Sequence, residues 1–423
     1  MIFTKKKVNV FVIIVIFFYI YRVTFVFIPI STFYIYSFIG LSILVIQLSF
    51  RPYISIKFTK YLYFYSLIFL FSFISIIINL TFDIVFLRNI FAFVFFIFAS
   101  IFVLTITKEH IQNNNDIIRY FCIACTVQSI ITIFSFFNPV FREILRNIQI
   151  FTEIDAAKYE VLTYRAYGLG SWFDVGSVTL GFSLILIQYL YLQEKKYKFF
   201  YIIIFLIQLL AGMLTARTII VGFGFSALFL FTAPKEYNKR KFLAIRDIIL
   251  VILAFIVLLF IFFPKFIETY YKTIQWAFRL FFSIASGGKT RVGSLDILFG
   301  RMYFLPDSVR TFIIGDGLIV NQDGSYYMHT DAGYMRLYLF FGILGLLSYI
   351  IYQIYLGVNM FGKNENILLR NLKYILIIYT LICFIKFRAN IAPVASLFFA
   401  LNYMLKPEIK SLISWKNIIG KKI

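Results

Sequence analysis

The sequence predicts an all-α polytopic membrane protein of about twelve transmembrane helices, and three observations carry that prediction. Hydrophobic residues make up 61% of the chain and charged residues only 14%, with a mean hydropathy of +0.89, a balance outside that of soluble globular domains. Apolar runs close to the roughly 20 residues that a bilayer core requires recur from end to end. The basic residues fall mostly in the short segments between those runs, as the orientation of membrane helices dictates, so the net charge of +22 reads as topology and not as a nucleic-acid surface. The lipid bilayer is the expected partner and nucleic acid is not.

The twelve spans are expected near 8–28, 31–50, 61–80, 89–106, 117–137, 171–192, 199–214, 218–233, 247–263, 333–355, 372–386 and 389–405. Lys5, Lys6 and Lys7 precede the first run as in a signal peptide, but no small-residue cleavage site closes it, so it reads as a retained span. Arg22 and Pro29 mark alternative breaks between the first two. With the amino terminus inside, cytoplasmic clusters follow at Arg51, Lys57 and Lys60, at Lys195, Lys196 and Lys198, and at Lys235, Lys239, Arg240 and Lys241. Further clusters lie at Lys363, Arg370 and Lys373 and in the tail from Lys406, and the alternation holds throughout. The chain thus divides into residues 1–263 with nine spans, an outward loop 264–332, and residues 333–423 with three spans and a cytoplasmic tail. A second outward loop covers 138–170.

Both termini are therefore expected in the cytoplasm. The heavy use of Phe, Ile, Lys and Asn points to AT-rich coding and a bacterial source. Cys122, Cys125 and Cys383 lie in or beside apolar runs, without the strand-to-helix context of a redox pair, and read as small buried hydrophobes.

The long loop opens with Phe266, Ile267, Tyr270, Tyr271, Ile274, Phe278, Phe281 and Phe282, an apolar stripe of helical period that is expected to lie flat on the membrane. Ser286-Gly287-Gly288-Lys289-Thr290-Arg291 is not a phosphate-binding loop, since Ser283 replaces its first glycine and no strand precedes it. Gly315-Asp316-Gly317 and Asn321-Gln322-Asp323-Gly324 read as surface turns.

Several arginines stand on the outward side at the starts of descending helices: Arg165 before the sixth span, Arg217 at the eighth and Arg336 in the first turn of the tenth. A cation there opposes the helix dipole by roughly 0.3–1 kcal/mol at an exposed site. Singly, each arginine has an ordinary reading: it snorkels to headgroups or pairs with Asp83, Asp174, Asp296 or Asp307. As a set they suit a doubly charged anion such as a lipid-linked pyrophosphate. His329 closes the long loop, where an imidazole can accept a proton from an attacking hydroxyl. Thr330 or Asp331 is the natural cap of the following helix, and Asp331 either orients the imidazole or is itself the base. No metal is expected, because the outward face offers one histidine, no cysteine and no carboxylate pair at a ligand spacing.

Read in order, Tyr164-Arg165-Ala166-Tyr167-Gly168-Leu169, Thr215-Ala216-Arg217-Thr218, Gly300-Arg301-Met302, Phe312-Ile313-Ile314-Gly315-Asp316-Gly317, His329-Thr330-Asp331-Ala332-Gly333-Tyr334 and Phe341-Gly342-Ile343-Leu344-Gly345 resemble the Wzy-type O-antigen polymerases and the related O-antigen ligases. The resemblance implies a GT-C-like glycosyltransferase of the bacterial inner membrane with a periplasmic active site. Its donor and acceptor would be oligosaccharides on undecaprenyl pyrophosphate, without a cofactor, and a chain-length regulator protein would be a partner. By motif position Arg217 and Arg301 would hold the pyrophosphate with help from Arg165 and Arg336, and His329 or Asp331 would activate the acceptor hydroxyl. Tyr334 is a candidate acceptor contact. Thr-Asp-Ala-Gly-Tyr follows the histidine here where many relatives show His-Asn. A ligase acting on the lipid A core shares this donor chemistry. A flippase or transporter would instead place ionisable residues deep in several spans.

Overall fold

An α-helix pairs its own backbone N–H and C=O groups, which is the condition for crossing hydrocarbon, and this apolar sequence folds accordingly. The computed structural model describes residues 8–50, 53–81, 83–150, 165–170, 173–194, 196–262, 296–321, 323–362, 365–387, 389–405 and 412–414. Its helices are α1 (Val10–Tyr21), α2 (Thr32–Phe50), α3 (Ile56–Asn79), α4 (Ile84–Ile106), α5 (Asn114–Phe137), α6 (Pro139–Ile148) and α7 (Phe173–Gln193). They continue as α8 (Lys198–Thr215), α9 (Ile219–Thr232), α10 (Asn238–Phe262), α11 (Val309–Ile313), α12 (Gly333–Val358), α13 (Ile367–Cys383) and α14 (Ala392–Ala400). A short antiparallel pairing of Tyr53–Ser55 with Leu412–Ser414 accompanies them.

The protein is all-helical in character and built around apolar helices. Each of the twelve apolar runs coincides with a helix. Among the described residues six are long and apolar enough to cross a membrane, or seven if Ile219–Thr232 and Lys235–Leu250, bent by 107°, form one span. Val10–Tyr21, Phe91–Ile106 and Ala392–Leu405 are apolar but shorter. The first run turns earlier than 28: Arg22 adopts a left-handed φ of 51° and its N–H closes α1 on Phe18 O. The stripe expected over 266–282 and the segment 286–291 lie outside the described residues.

Helix α7 is apolar on every side and is the central pillar, with 94% of its span buried, whereas α2 and α3, at 22% each, face outward. Its neighbour α9 approaches backbone to backbone, because a Cβ on Gly222 would come within 2.5 Å of the Gly181 Cα. Helices α3 and α12 run antiparallel: Tyr355 donates to Lys57 O at one end (2.8 Å) and Ser75 donates to Phe340 O at the other (2.6 Å). The start of α12 thereby lies at the end of α3. Cys122, Cys125 and Cys383 are all buried and form no disulfide, as expected of small apolar side chains.

Candidate functional site

Residues 165–170 form no helix, yet Ala166, Tyr167 and Gly168 are buried. Buried peptide groups need partners, and two glutamines supply them. Gln128, within α5, donates to Leu169 O (2.9 Å) and accepts the Leu169 N–H (3.3 Å). Gln149 donates to Gly168 O (3.1 Å) and accepts the Gly170 N–H (2.8 Å). The Ala166 N–H donates to Leu214 O at 3.0 Å, which ties this segment to the last turn of α8, just before Arg217. From α6, Arg142 donates Nη2–H to Arg165 O (2.8 Å) and its guanidinium lies 5.2 Å from the Tyr167 ring centroid. Arg142, Arg165 and the Arg217 turn are thus one group.

The second group surrounds the start of α12. The helix is capped at Ala332, not at Thr330 or Asp331. Thr330 is displaced from the cap because its hydroxyl serves elsewhere: it accepts the Ala332 N–H (3.3 Å) and donates to Met302 O (3.0 Å). Arg301 and His329, both exposed, flank that bridge on its two sides. Met328 and His329 both occupy the left-handed region, with φ of 53° and 54°, a conformation that costs on the order of 1 kcal/mol or more per non-glycine residue. Tyr334 donates its hydroxyl to Leu381 O (2.8 Å) and meets Phe384 edge-on with centroids 4.5 Å apart, so it holds the first turn of α12 to the end of α13.

Arg336 is only 8% exposed. Its guanidinium carbon lies 4.0 Å from the Tyr326 ring centroid, the charges of Asp331 and Asp83 act on it, and its Nε is buried without a hydrogen-bond partner. Tyr326 belongs to a small hairpin in which it bridges Val320. At the hairpin's exposed turn Asp323 accepts the Ser325 N–H (2.8 Å). Hydrogen bonds from Ser325 hold the Asp323 carboxyl below its usual range. Asp331 is half-buried.

Gly315-Asp316-Gly317 is not a surface turn. Helix α12 breaks at Phe341 and Gly342, the latter at φ 68° and ψ −171°, and the freed carbonyls need donors. Leu339 O takes the Asp316 N–H (2.6 Å) and Phe340 O takes the Gly317 N–H (2.9 Å). Only glycines permit this approach: a Cβ on Gly342 would come within 2.1 Å of Ile313 O, and one on Gly315 within 2.4 Å of the Phe340 carbonyl carbon. The Asp316 carboxylate then accepts the hydroxyls of Thr311 (2.7 Å) and Tyr327 (3.1 Å). The Asn321–Gly324 turn does lie at the surface, with Asp323 and Gly324 exposed.

Helix α13 joins the two groups. Its Tyr379 donates to Val178 O (3.1 Å) in α7, one residue from the Ser177 that donates to Ala216 O (2.9 Å) beside Arg217. Farther along, Leu381 O takes the Tyr334 hydroxyl. The arginine groups therefore share one end of the bundle, on either side of the tip of α13. Sequence reasoning gave no role in the site to Arg142, to Lys386 in the turn after Cys383, or to Asp323 and Asp316, the last two read only as turn residues. The rule that singled out Arg217, a cation expected on the outward side, applies equally to Lys386.

Among the described residues no three His, Cys, Asp or Glu side chains converge as a metal site. A scan of protein-family models finds none that matches the chain, and searches of the curated proteins and of the solved structures return no match.

Proposed function

We propose that the chain is a glycosyltransferase of the O-antigen polymerase kind, with twelve spans in a GT-C-like arrangement in the bacterial inner membrane. Both termini lie in the cytoplasm and the site faces the periplasm. It joins repeat units carried on undecaprenyl pyrophosphate, and a chain-length regulator is its protein partner. The observation that carries this reading is the gathering of Arg165 and Arg217 on one side of the α13 tip and of Arg301, Arg336 and His329 on the other.

In this reading the acceptor hydroxyl attacks the anomeric carbon of the donor sugar, its proton passes to His329, and the bond to the pyrophosphate oxygen breaks. The leaving group departs as undecaprenyl pyrophosphate, its charge met by Arg217 and Arg301 with Arg165 and Arg336 in support. Pyrophosphate leaves readily without protonation, so the protein supplies position and positive charge. Asp331, half-buried two residues on, is the alternative base.

Expression of Arg217→Ala, Arg301→Ala and His329→Ala in a strain deleted for the gene tests the proposal. Loss of surface polymer at normal protein level is expected for each. Unchanged polymer length and amount in all three overturns the catalytic reading. Loss of unpolymerised single units from lipid A as well would indicate the ligase.

A further inference from the structure

An acid in the turn between two apolar helices ordinarily caps the second helix or faces water. Asp83 is 5% exposed, immediately before α4. One of its oxygens, Oδ2, accepts the N–H groups of Ile319 (2.8 Å) and Val320 (3.4 Å), residues far away in sequence, within the segment that ends at His329. Charge-assisted hydrogen bonds to backbone N–H groups are among the stronger protein contacts.

From those two peptides the connection continues to the site. Val320 bridges Tyr326 across the hairpin, and Ile319 O takes the Tyr327 N–H (2.9 Å). Tyr326 then does two things: its ring lies against Arg336, and its carbonyl accepts the His329 N–H (2.9 Å). Around Asp83, Thr81 donates to Gly317 O (3.2 Å) and Asn79 donates to Gly315 O (2.8 Å), so Asn79, Thr81 and Asp83 together grip the loop. Within that grip, Asp83 is the carboxylate that fixes the strand bearing Tyr326's partner.

We propose that Asp83 is a positioning residue for the site: by holding Ile319 and Val320 it sets Tyr326, and through Tyr326 it sets both Arg336 and His329. The proposal rests on the reading of Arg336 and His329 as site residues. It assigns Asp83 no contact with substrate. Asparagine keeps an acceptor oxygen for the two N–H groups, whereas alanine keeps none.

Hydrogen–deuterium exchange of the purified protein in nanodiscs, paired with steady-state kinetics on an undecaprenyl-pyrophosphate-linked oligosaccharide, tests this. Asp83→Ala is expected to speed exchange over 319–329 by about tenfold and to lower kcat by about tenfold with KM for the donor little changed, as loss of alignment predicts. Asp83→Asn is expected to restore protection and to return kcat to within about threefold of the parent. Val320→Pro, which removes one donor and leaves the carboxylate, is expected to reproduce the exchange change and serves if Asp83→Ala does not accumulate. Exchange unchanged in Asp83→Ala or Val320→Pro, or activity lost without a change in exchange, overturns the proposal. If the parent protein extends no lipid-linked glycan while exchange responds as stated, the proposed function fails and the positioning by Asp83 stands.

Discussion

The guanidinium of Arg336 lies 4.0 Å from the centre of the Tyr326 ring, and the carbonyl of the same tyrosine accepts the His329 N–H at 2.9 Å. One hairpin residue thus contacts both the buried cation and the loop histidine. A desolvated cation–π contact contributes about 2 kcal/mol. Tyr326→Phe, which keeps the ring but loses the hydroxyl that bonds to Arg336, should therefore lower the thermal unfolding midpoint in detergent less than Tyr326→Ala, which is expected to lower stability by about 2 kcal/mol. An unchanged midpoint in the alanine variant shows that the ring carries no weight there.

Gly342 is the point at which α12 breaks. Its φ of 68° with ψ of −171° belongs to a region open essentially to glycine alone, and another residue there is strained by on the order of 1–3 kcal/mol before any clash. The added Cβ also meets Ile313 O at 2.1 Å. Gly342→Ala is expected to abolish folded protein as judged by size-exclusion of a fluorescent fusion. Gly300→Ala, where nothing lies within 4 Å of the new carbon, should elute as the parent does.

Gln128→Leu removes both partners of the Leu169 peptide group. Leaving a buried donor or acceptor unsatisfied costs about 1–3 kcal/mol, so the 165–170 segment should open before the bundle does. The readout is thiol labelling of Ala166→Cys, since Ala166 is fully buried and the native cysteines are buried too. Labelling is expected to be slow with Gln128 and fast with Leu in its place; equal rates would remove the glutamine clamp from the explanation of how Arg165 is held.

Asp323 supplies a pH test. Its carboxyl is held below the ordinary value of 3.8, first by the hydrogen bonds from Ser325. A depressed folded-state value means that the contribution is fully present above the ordinary carboxylate range and is lost as pH falls through the lower folded value. Exchange protection of the Ser325 N–H, corrected for intrinsic rates, should therefore hold from neutral pH down to about 4 and fall only below it. Loss of protection between pH 7 and 5 contradicts the assignment.

What the sequence conveyed and what it concealed have separate physical causes. Hydropathy and run length are local properties, so every apolar run from α1 to α14 could be read before any contact was known. Arg165, Arg217 and Arg336 stood out for the same reason, as charges that depart from the alternation expected of the spans. The break in α12 was not legible, because Phe341-Gly342 lies within Leu337–Leu347, a stretch with no charged or amide side chain to mark it. Nor was the use of Gly315-Asp316-Gly317, whose donors answer carbonyls that only the break exposes. Gln128, Gln149 and Asp83 bond to peptides distant in sequence, and nothing near them announces those partners. The stripe at 266–282 remains an expectation about residues outside those described.

The most direct measurement reconstitutes the purified protein in lipid vesicles with an undecaprenyl-pyrophosphate-linked oligosaccharide and follows chain length together with released undecaprenyl pyrophosphate. The expected result is extension to multiple repeats with one undecaprenyl pyrophosphate released per bond formed, slowed by about 10²-fold or more in each of Arg217→Ala, Arg301→Ala and His329→Ala. Extension at the parental rate in all three variants, or no extension by the intact protein, contradicts it.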